Sequence, residues 1–332
     1  MSRRVRVASV GLGWWGSTLA DRAEAAGLDL VSCFARSTDS RVEFAEARGC
    51  RSAATWDELL SDPDVEGVLI ATPHSTHADL VCEAASAGKH VFVDKPFTLK
   101  VADAARATRA CDDAGVVLQV GHNRRRQPAT RWIKSMVDAG ELGMPHYAEA
   151  NLSYPKGLNP RSGWRGDPAE SPAGGMAGLG VHMADNLVYL FGQPARISAF
   201  SRKIIGVGPL DDATTAIVEF PDGPLAVLAT TMVIPDIART AVFGTEAAAW
   251  NEVDGEKAYV QRVGEKERSE VPVETLDTIL DELAEFGRCV ANGETPEVGG
   301  WEALEVVAIF EGLVESAATG RAVDLAEVRS RR

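Results

Sequence analysis

Six residues near the start of the chain combine types and spacing suited to phosphate chemistry: Gly11-Leu12-Gly13-Trp14-Trp15-Gly16. An apolar run rich in valine, Val5 to Val10, leads straight into this G-x-G-x-x-G, and a helix-compatible stretch, Ser17 to Ala26, follows it. Gly11 suits a tight turn, Gly13 lets backbone N–H groups approach a pyrophosphate, and Gly16 allows helix and strand to pack closely. The free N–H groups and positive dipole end of the helix add attraction for phosphate. Between that strand and that helix, the glycines read as a dinucleotide-binding turn rather than a plain loop. Trp14 and Trp15 are expected to flank it, with at least one of them in the core.

In such a site an acidic residue about twenty residues further on usually holds the ribose 2′-hydroxyl. Here that place is Phe34-Ala35-Arg36-Ser37-Thr38, which has no carboxylate. Arg36 and the Ser37 hydroxyl suit a 2′-phosphate instead. A charge-assisted hydrogen bond of ~1.5–3 kcal/mol corresponds to roughly a ten- to hundredfold preference. NADP is therefore the expected cofactor, with NAD as the alternative should Arg36 be only a solvated loop residue.

Other candidates are scattered. Lys95, in Asp94-Lys95-Pro96, follows an apolar strand end, where doubly wound sheets open toward their ligands; the plain alternative is a surface lysine paired with Asp94. His182 lies in a glycine-rich approach to an apolar segment, with Asp185 three residues on along the same helical face. Asn123 and Arg124, in His122-Asn123-Arg124-Arg125-Arg126, suit a cofactor amide or an anionic substrate, and equally a salt-bridged helix start. Tyr154, Trp164 and Arg165 lie in or beside a Pro/Gly-rich stretch, Pro155 to Pro172, of the kind that covers pockets, though ordinary packing explains each of them too. Backbone near Thr72-Pro73 is expected to face the cofactor. His77 is placed with it, although a structural role is its plainer reading.

The elements that must position these residues alternate regularly up to about residue 124. Strands are expected at Leu28 to Phe34, Val65 to Ala71, His90 to Val93 and Val116 to Val120. Helices are expected at Ser40 to Arg48, Trp56 to Leu60, His77 to Ala87 and Val101 to Ala114. This is the pattern of an α/β, doubly wound parallel Rossmann sheet. Beyond it, after a helix at Ala129 to Ala139, strand-like runs dominate: His146 to Ser153, Ile197 to Arg202, Thr214 to Phe220, Leu225 to Met232, Thr240 to Phe243, Ala248 to Asn251, Lys257 to Arg262 and Ser269 to Val273. Pro221-Asp222-Gly223 supplies a hairpin turn, and helices at Leu276 to Ala291 and Trp301 to Ala318 finish the pattern. The expectation is a dinucleotide-binding domain at 1–124. A C-terminal α+β domain at 125–332, built on a mostly antiparallel open sheet, would serve substrate binding and oligomerisation.

Bulk properties narrow the partners. The chain has 332 residues, 45% hydrophobic and 25% charged, and a net charge of −14 without a basic stripe, which argues against nucleic acid. Five cysteines lack metal-like spacing, so no metal is expected and the thiols read as reduced. Ser2-Arg3-Arg4 only faintly suggests a twin-arginine signal, and no apolar run approaches the ~18 residues of a membrane span. A cytoplasmic enzyme acting on a small molecule is expected.

Three further segments, with the glycine turn, resemble the Gfo/Idh/MocA family of NAD(P)-dependent sugar and polyol oxidoreductases. They are Ala71-Thr72-Pro73-His74-Ser75-Thr76-His77, Ala87 to Pro96, and Gly174-Gly175 through Gly180-Val181-His182-Met183-Ala184-Asp185. The resemblance runs nearly the whole length, to Gly320-Arg321-Ala322-Val323-Asp324-Leu325. It implies that His182 moves the hydroxyl proton, a task suited to imidazole near neutral pH. It implies that Lys95 stabilises the reacting oxygen, and that Asp185 holds a substrate hydroxyl or orients the histidine. Asp94 stands where the family usually has Glu. Gly178 stands where it commonly has a substrate-contacting Asp, which leaves space for a bulkier or less hydroxylated substrate, such as a cyclic diol. Pairing through the open sheet face implies a homodimer or homotetramer. Two other activities remain open: glycoside cleavage assisted by the same cofactor, and a non-catalytic NADP-binding regulator.

Overall fold

The computed structural model describes residues 3–159, 162–206 and 208–332. Strand β1 (Val5–Val10) delivers the chain to Gly11, whose φ of +89° and close approach to the next strand both demand glycine. A Cβ there would lie 2.5 Å from the Ala71 carbonyl oxygen, and one on Gly16 would lie 1.9 Å from that of Gly11. Helix α1 (Trp14–Ala23) starts three residues before the expected Ser17, because the extended backbone of Gly13 serves directly as its N-cap.

The first sheet then builds outward. In chain order come β2 (Leu28–Phe34), α2 (Thr38–Arg48), β3 (Arg51–Ser52), α3 (Trp56–Ser61), β4 (Gly67–Ile70), α4 (His77–Ser86), β5 (His90–Asp94), α5 (Val101–Ala114) and β6 (Leu118–Gly121). The six strands are all parallel, in the order β3-β2-β1-β4-β5-β6. The order reverses at β1, so the crevice beyond the carboxyl ends of β1 and β4 is the expected ligand position of a doubly wound sheet. The two-residue β3 is too short to show a period in the sequence.

After α6 (Pro128–Asp138), a nine-stranded sheet forms from β7 (Pro145–Ser153), β8 (Arg196–Arg202), β9 (Ala213–Glu219), β10 (Leu225–Thr231), β11 (Ile237–Gly244), β12 (Ala247–Glu252), β13 (Lys257–Arg262), β14 (Ser269–Val271) and β15 (Val323–Asp324). Its order is β14-β13-β12-β11-β7-β10-β9-β8-β15, antiparallel except for the β7/β10 pair. Helices α7 (Val181–Phe191) and α9 (Gly300–Thr319) cover one face, and α10 (Leu325–Arg329) closes the chain. The opposite face leaves Phe200, Ile217 and Leu225 exposed.

Helix α8 (Thr278–Asn292) returns to the first sheet, where Leu283 and Phe286 join Val5, Val7, Leu28 and Phe92 in one buried cluster. The two sheets are thus tied by late sequence as well as by the link near residue 124. No helix among the described residues is long and apolar enough to cross a membrane.

Candidate active site

Two clefts meet at Trp164 and Arg165. The first, of about 570 Å³, lies over the carboxyl ends of β1, β2 and β4 and is lined by Gly11, Gly13, Arg36, Ser37, Thr72 and Pro73, among others. A Cβ on Gly13 would meet nothing within 4 Å, so that glycine opens directly into the cleft. The wall and rim contain no carboxylate among the described residues. The Arg36 guanidinium makes no hydrogen bond or ion pair with them, while Ser37 caps α2 by accepting from the Ser40 N–H. Beneath this rim, buried Arg41 donates to the Ala35 carbonyl at 2.8 Å and to the Thr38 hydroxyl at 3.2 Å, fixing the loop that carries Arg36. A glycine turn at a helix N-terminus, an apolar wall and a cationic rim fit a dinucleotide phosphate.

Three residues expected here stand elsewhere: His77, Trp14 and Trp15. His77 is fully buried; its ring joins the Thr72 carbonyl at 3.1 Å to the Pro96 carbonyl at 3.0 Å. It latches the ends of β4 and β5 together instead of lining the cleft, because α4 turns its first residue inward. Trp14 and Trp15 line the second cleft rather than the first, Trp14 largely exposed and Trp15 half-buried with its indole N–H unpaired. Gly16 acts through packing alone.

The second cleft, of about 370 Å³, brings together Lys95, Asn123, Arg124, Tyr154, Trp164, Gly178 and His182. Lys95 leaves the end of β5, followed by a cis bond to Pro96, and its ammonium donates to the Gly178 carbonyl at 2.8 Å. That carbonyl belongs to a π-helical turn, Met176–Gly180, that runs into α7 and sets His182 at its second residue. Such turns recur at functional positions. His182 is 6% exposed and its Nδ1 has no partner. Burial first, then the charges of Lys95 and Arg124, hold its pKa well below the ordinary imidazole value, so it is a neutral proton acceptor at neutral pH. Burial also lowers the Lys95 pKa; Asp94 opposes that shift and Arg124, Arg165 and Lys156 add to it.

The loop over both clefts is pinned to the first sheet. His74 Nδ1 lies 2.7 Å from the Glu170 carbonyl, its ring meets Trp164 edge-on at 4.8 Å, and the Ser75 N–H donates to the Glu170 carboxylate. The three consecutive arginines diverge. Arg124 enters the cleft, clasped by Asp254 and 3.3 Å from the Tyr154 hydroxyl. Arg125 turns inward to Asp185, at 3.0 and 2.5 Å. Arg126 meets Asp281 at 2.8 Å and also Glu285. Asn123 donates to Thr278 and leaves its carbonyl oxygen unpaired at the cleft.

Asp185 therefore does not reach the cleft. It is completely buried in the pair with Arg125, and its nearest imidazole is His122, at 3.8 Å, not His182. Helix α7 is buried on nearly every side, so spacing along it does not define a cleft face. Sequence reasoning also missed Asp254 and Lys156. Asp254 sits at a β12–β13 tip where Val253 and Asp254 have φ of +52° and +57°. An Asp-Gly pair between two strand runs signals such a tip, but not what it touches.

A Rossmann sheet whose glycine turn opens beside a lysine and a histidine that line one cleft defines a dinucleotide-dependent oxidoreductase. Residues 5–122 match the oxidoreductase family with NAD-binding Rossmann fold (GFO/IDH/MocA), and residues 130–250 match the GFO/IDH/MocA C-terminal domain. The chain is 32% identical to scyllo-inositol 2-dehydrogenase (NAD(+)) of Bacillus subtilis over 73% of its length and 72% of that protein. It is 30% identical to D-xylose 1-dehydrogenase (NADP(+)) 2 of Haloferax volcanii, over 82% of the chain and 84% of that protein. An oxidoreductase structure from Desulfitobacterium hafniense superposes with a TM-score of 0.94 at 31% identity, covering 99% and 100% of the two chains. The chain belongs to the Gfo/Idh/MocA family of oxidoreductases.

Proposed function

We propose that this oxidoreductase interconverts a secondary alcohol and a ketone or lactone on a sugar, polyol or related cyclic compound, with NADP preferred over NAD. The observation that carries the reading is the convergence of Lys95 and buried, neutral His182 on one cleft beside the glycine turn. The nicotinamide, when bound, accepts or gives the hydride. His182 takes the hydroxyl proton in the oxidative direction. Lys95, tethered through one N–H bond to Gly178, has two others for the reacting oxygen and favours its negative charge.

The NADP preference rests on a rim that holds Arg36 and no carboxylate. Inositol- and xylose-type activities of the relatives motivate the substrate class. Titration of the purified protein with NADPH and NADH, then with sugars, inositols and cyclic diols, tests both parts. Roughly ten- to hundredfold tighter NADPH binding with turnover of one class is expected. Tighter NADH binding would overturn the cofactor preference, and binding without turnover would overturn the enzyme.

The exposed Phe200, Ile217 and Leu225 support pairing through the open sheet face in a homodimer or homotetramer, checked by light scattering. The five unpaired cysteines support a reducing, cytoplasmic setting.

A further inference from the structure

The turn that seats Lys95 and His182 is entered through a strained residue. Among the described residues, four other than glycine have a positive φ: Ala173, Asp222, Val253 and Asp254. Asp222, Val253 and Asp254 are exposed at tips that join two strands. Ala173, at φ +54°, instead precedes the two glycines that lead into the π-helical turn Met176–Gly180. A left-handed alanine crowds its Cβ against the following carbonyl, so the conformation persists only where its surroundings impose it.

Those surroundings are specific. The Ala173 carbonyl accepts from the Met176 N–H at 3.1 Å and from the Thr214 hydroxyl at 3.0 Å. Thr214 lies on β9 and is 3% exposed. Its cross-strand partner on β8 is Ser201, whose hydroxyl lies 2.8 Å from that of Thr214 and 2.6 Å from the Asp211 carboxylate. Gly174 rests on the Asp211 backbone so closely that a Cβ would lie 1.9 Å from its carbonyl oxygen. Side chain and backbone of one corner of the second sheet thus brace the strained residue. Met176, bonded to Ala173, opens the π turn. The Gly178 carbonyl within that turn receives Lys95 at 2.8 Å, and His182 follows two residues beyond its end.

We infer that Thr214, which lines neither cleft, is a positioning residue for the reaction. Its hydroxyl holds Ala173 in the left-handed conformation from which the π turn presents Gly178 to Lys95 and His182 to the cleft. This rests on the oxidoreductase reading above and deepens it. Without the hydroxyl, Ala173 returns to a negative φ, and the Lys95 tether and the His182 ring leave their common target. A displacement of about 1 Å there is enough to lower the rate about a hundredfold.

The test removes the hydroxyl and then the strain. With NADP and scyllo-inositol or D-xylose, Thr214→Val should lower kcat about ten- to hundredfold while NADPH affinity stays within about twofold. The solvent deuterium isotope effect on kcat should rise, since proton transfer becomes the slower step. Thr214→Ser, which keeps a hydroxyl, should retain the parent kcat. Adding Ala173→Gly to Thr214→Val should restore it, because glycine takes the left-handed conformation without support. An unchanged kcat in Thr214→Val overturns the inference, and so does a double variant that stays slow or unfolded. If Thr214→Val alone does not fold, a double variant that folds and turns over at the parent rate supports it. If the parent turns over neither compound, the proposed activity fails separately, and crystal structures decide. Thr214→Val should then show Ala173 at negative φ and Lys95 parted from Gly178, with both restored in the double variant. An unmoved turn in Thr214→Val overturns the inference.

Discussion

The two clefts share Trp164 and Arg165 but are built differently. The first is written almost continuously. One strand, one turn and one helix supply Gly11 to Gly16, and the loop after β2 supplies Arg36 and Ser37. The second is assembled from the ends of β5 and β6, the π turn before α7, the pinned loop and the β12–β13 tip. In the first, backbone geometry does the work and polar side chains stay at the rim. In the second, charged groups are sorted, and adjacent residues meet opposite fates: Arg124 faces the cavity and Arg125 the core. Local geometry is therefore enough to make a phosphate site, whereas a site that must move a proton depends on which long-range pair each charge enters.

The sharpest way to break that contrast is to disturb a charge that went to the core. Asp185→Ala leaves the Arg125 guanidinium buried and unpaired, both side chains being 5% exposed or less. Removing one partner of such a pair costs ~3–5 kcal/mol. Urea denaturation should show a loss of that size, and Arg125→Met in the same chain should recover much of it. If stability is unchanged and KM rises instead, Asp185 belongs to the substrate site and the division drawn here is wrong.

Next in size is the chemistry itself. His182→Ala and Lys95→Ala should each lower turnover by ~100-fold or more while leaving NADPH affinity nearly intact, because neither lines the first cleft. Steady-state kinetics beside cofactor titration checks this. Normal turnover in either variant would remove that residue from the mechanism.

How much of this was legible follows the same division. Strand β2, helix α5 and strand β13 coincide with the residues their patterns indicate. Gly11 and Gly13 line the expected cleft because a contiguous turn carries its geometry with it, and Arg36 and Ser37 because they directly follow β2, the strand paired with β1. Asp185 and the cofactor placement of His77 miss for one reason, whereas the structural role read for His77 agrees with its buried position. Both start from a correct helix, but the facing of a buried helix is set by partners more than fifty residues away or by a neighbouring strand end. Asp254 was invisible for the complementary reason. Its tip is readable as a hairpin, yet its approach to Arg124 depends on how β11 pairs with β7.

His122 offers a third perturbation. It is buried beside Asp185, Arg125 and Lys95, and both ring nitrogens lack hydrogen-bond partners. Burial pushes its pKa down to about 4. In the unfolded chain the same ring takes up a proton near its ordinary value of about 6.5. Between those values acid favours the unfolded state, so this stabilising contribution is complete near pH 7 and falls as pH drops toward 4. From pH 7 to pH 5 the loss amounts to about 2 kcal/mol. His122→Phe keeps a ring in place and removes the proton. Its unfolding free energy should fall over that range by about 2 kcal/mol less than that of the parent. An identical fall in both would show that His122 does not stay neutral in the fold.

The smallest effect should come from the first cleft, where Arg36, the side chain proposed to discriminate, is exposed. Arg36 stands at the rim, supported only indirectly by Arg41 beneath its loop. On the proposed NADP preference, Arg36→Ala should remove one charge-assisted contact to a 2′-phosphate. The glycine turn, which both cofactors would use, is untouched. NADPH affinity should fall about tenfold and NADH affinity should hardly move, read by calorimetric titration of each. The sign of the difference matters more than its size. If both affinities fall together, Arg36 supports the loop and not the phosphate, and discrimination between the cofactors must come from elsewhere on the rim. If only NADPH weakens, one exposed guanidinium on a backbone-built site decides which cofactor the enzyme prefers.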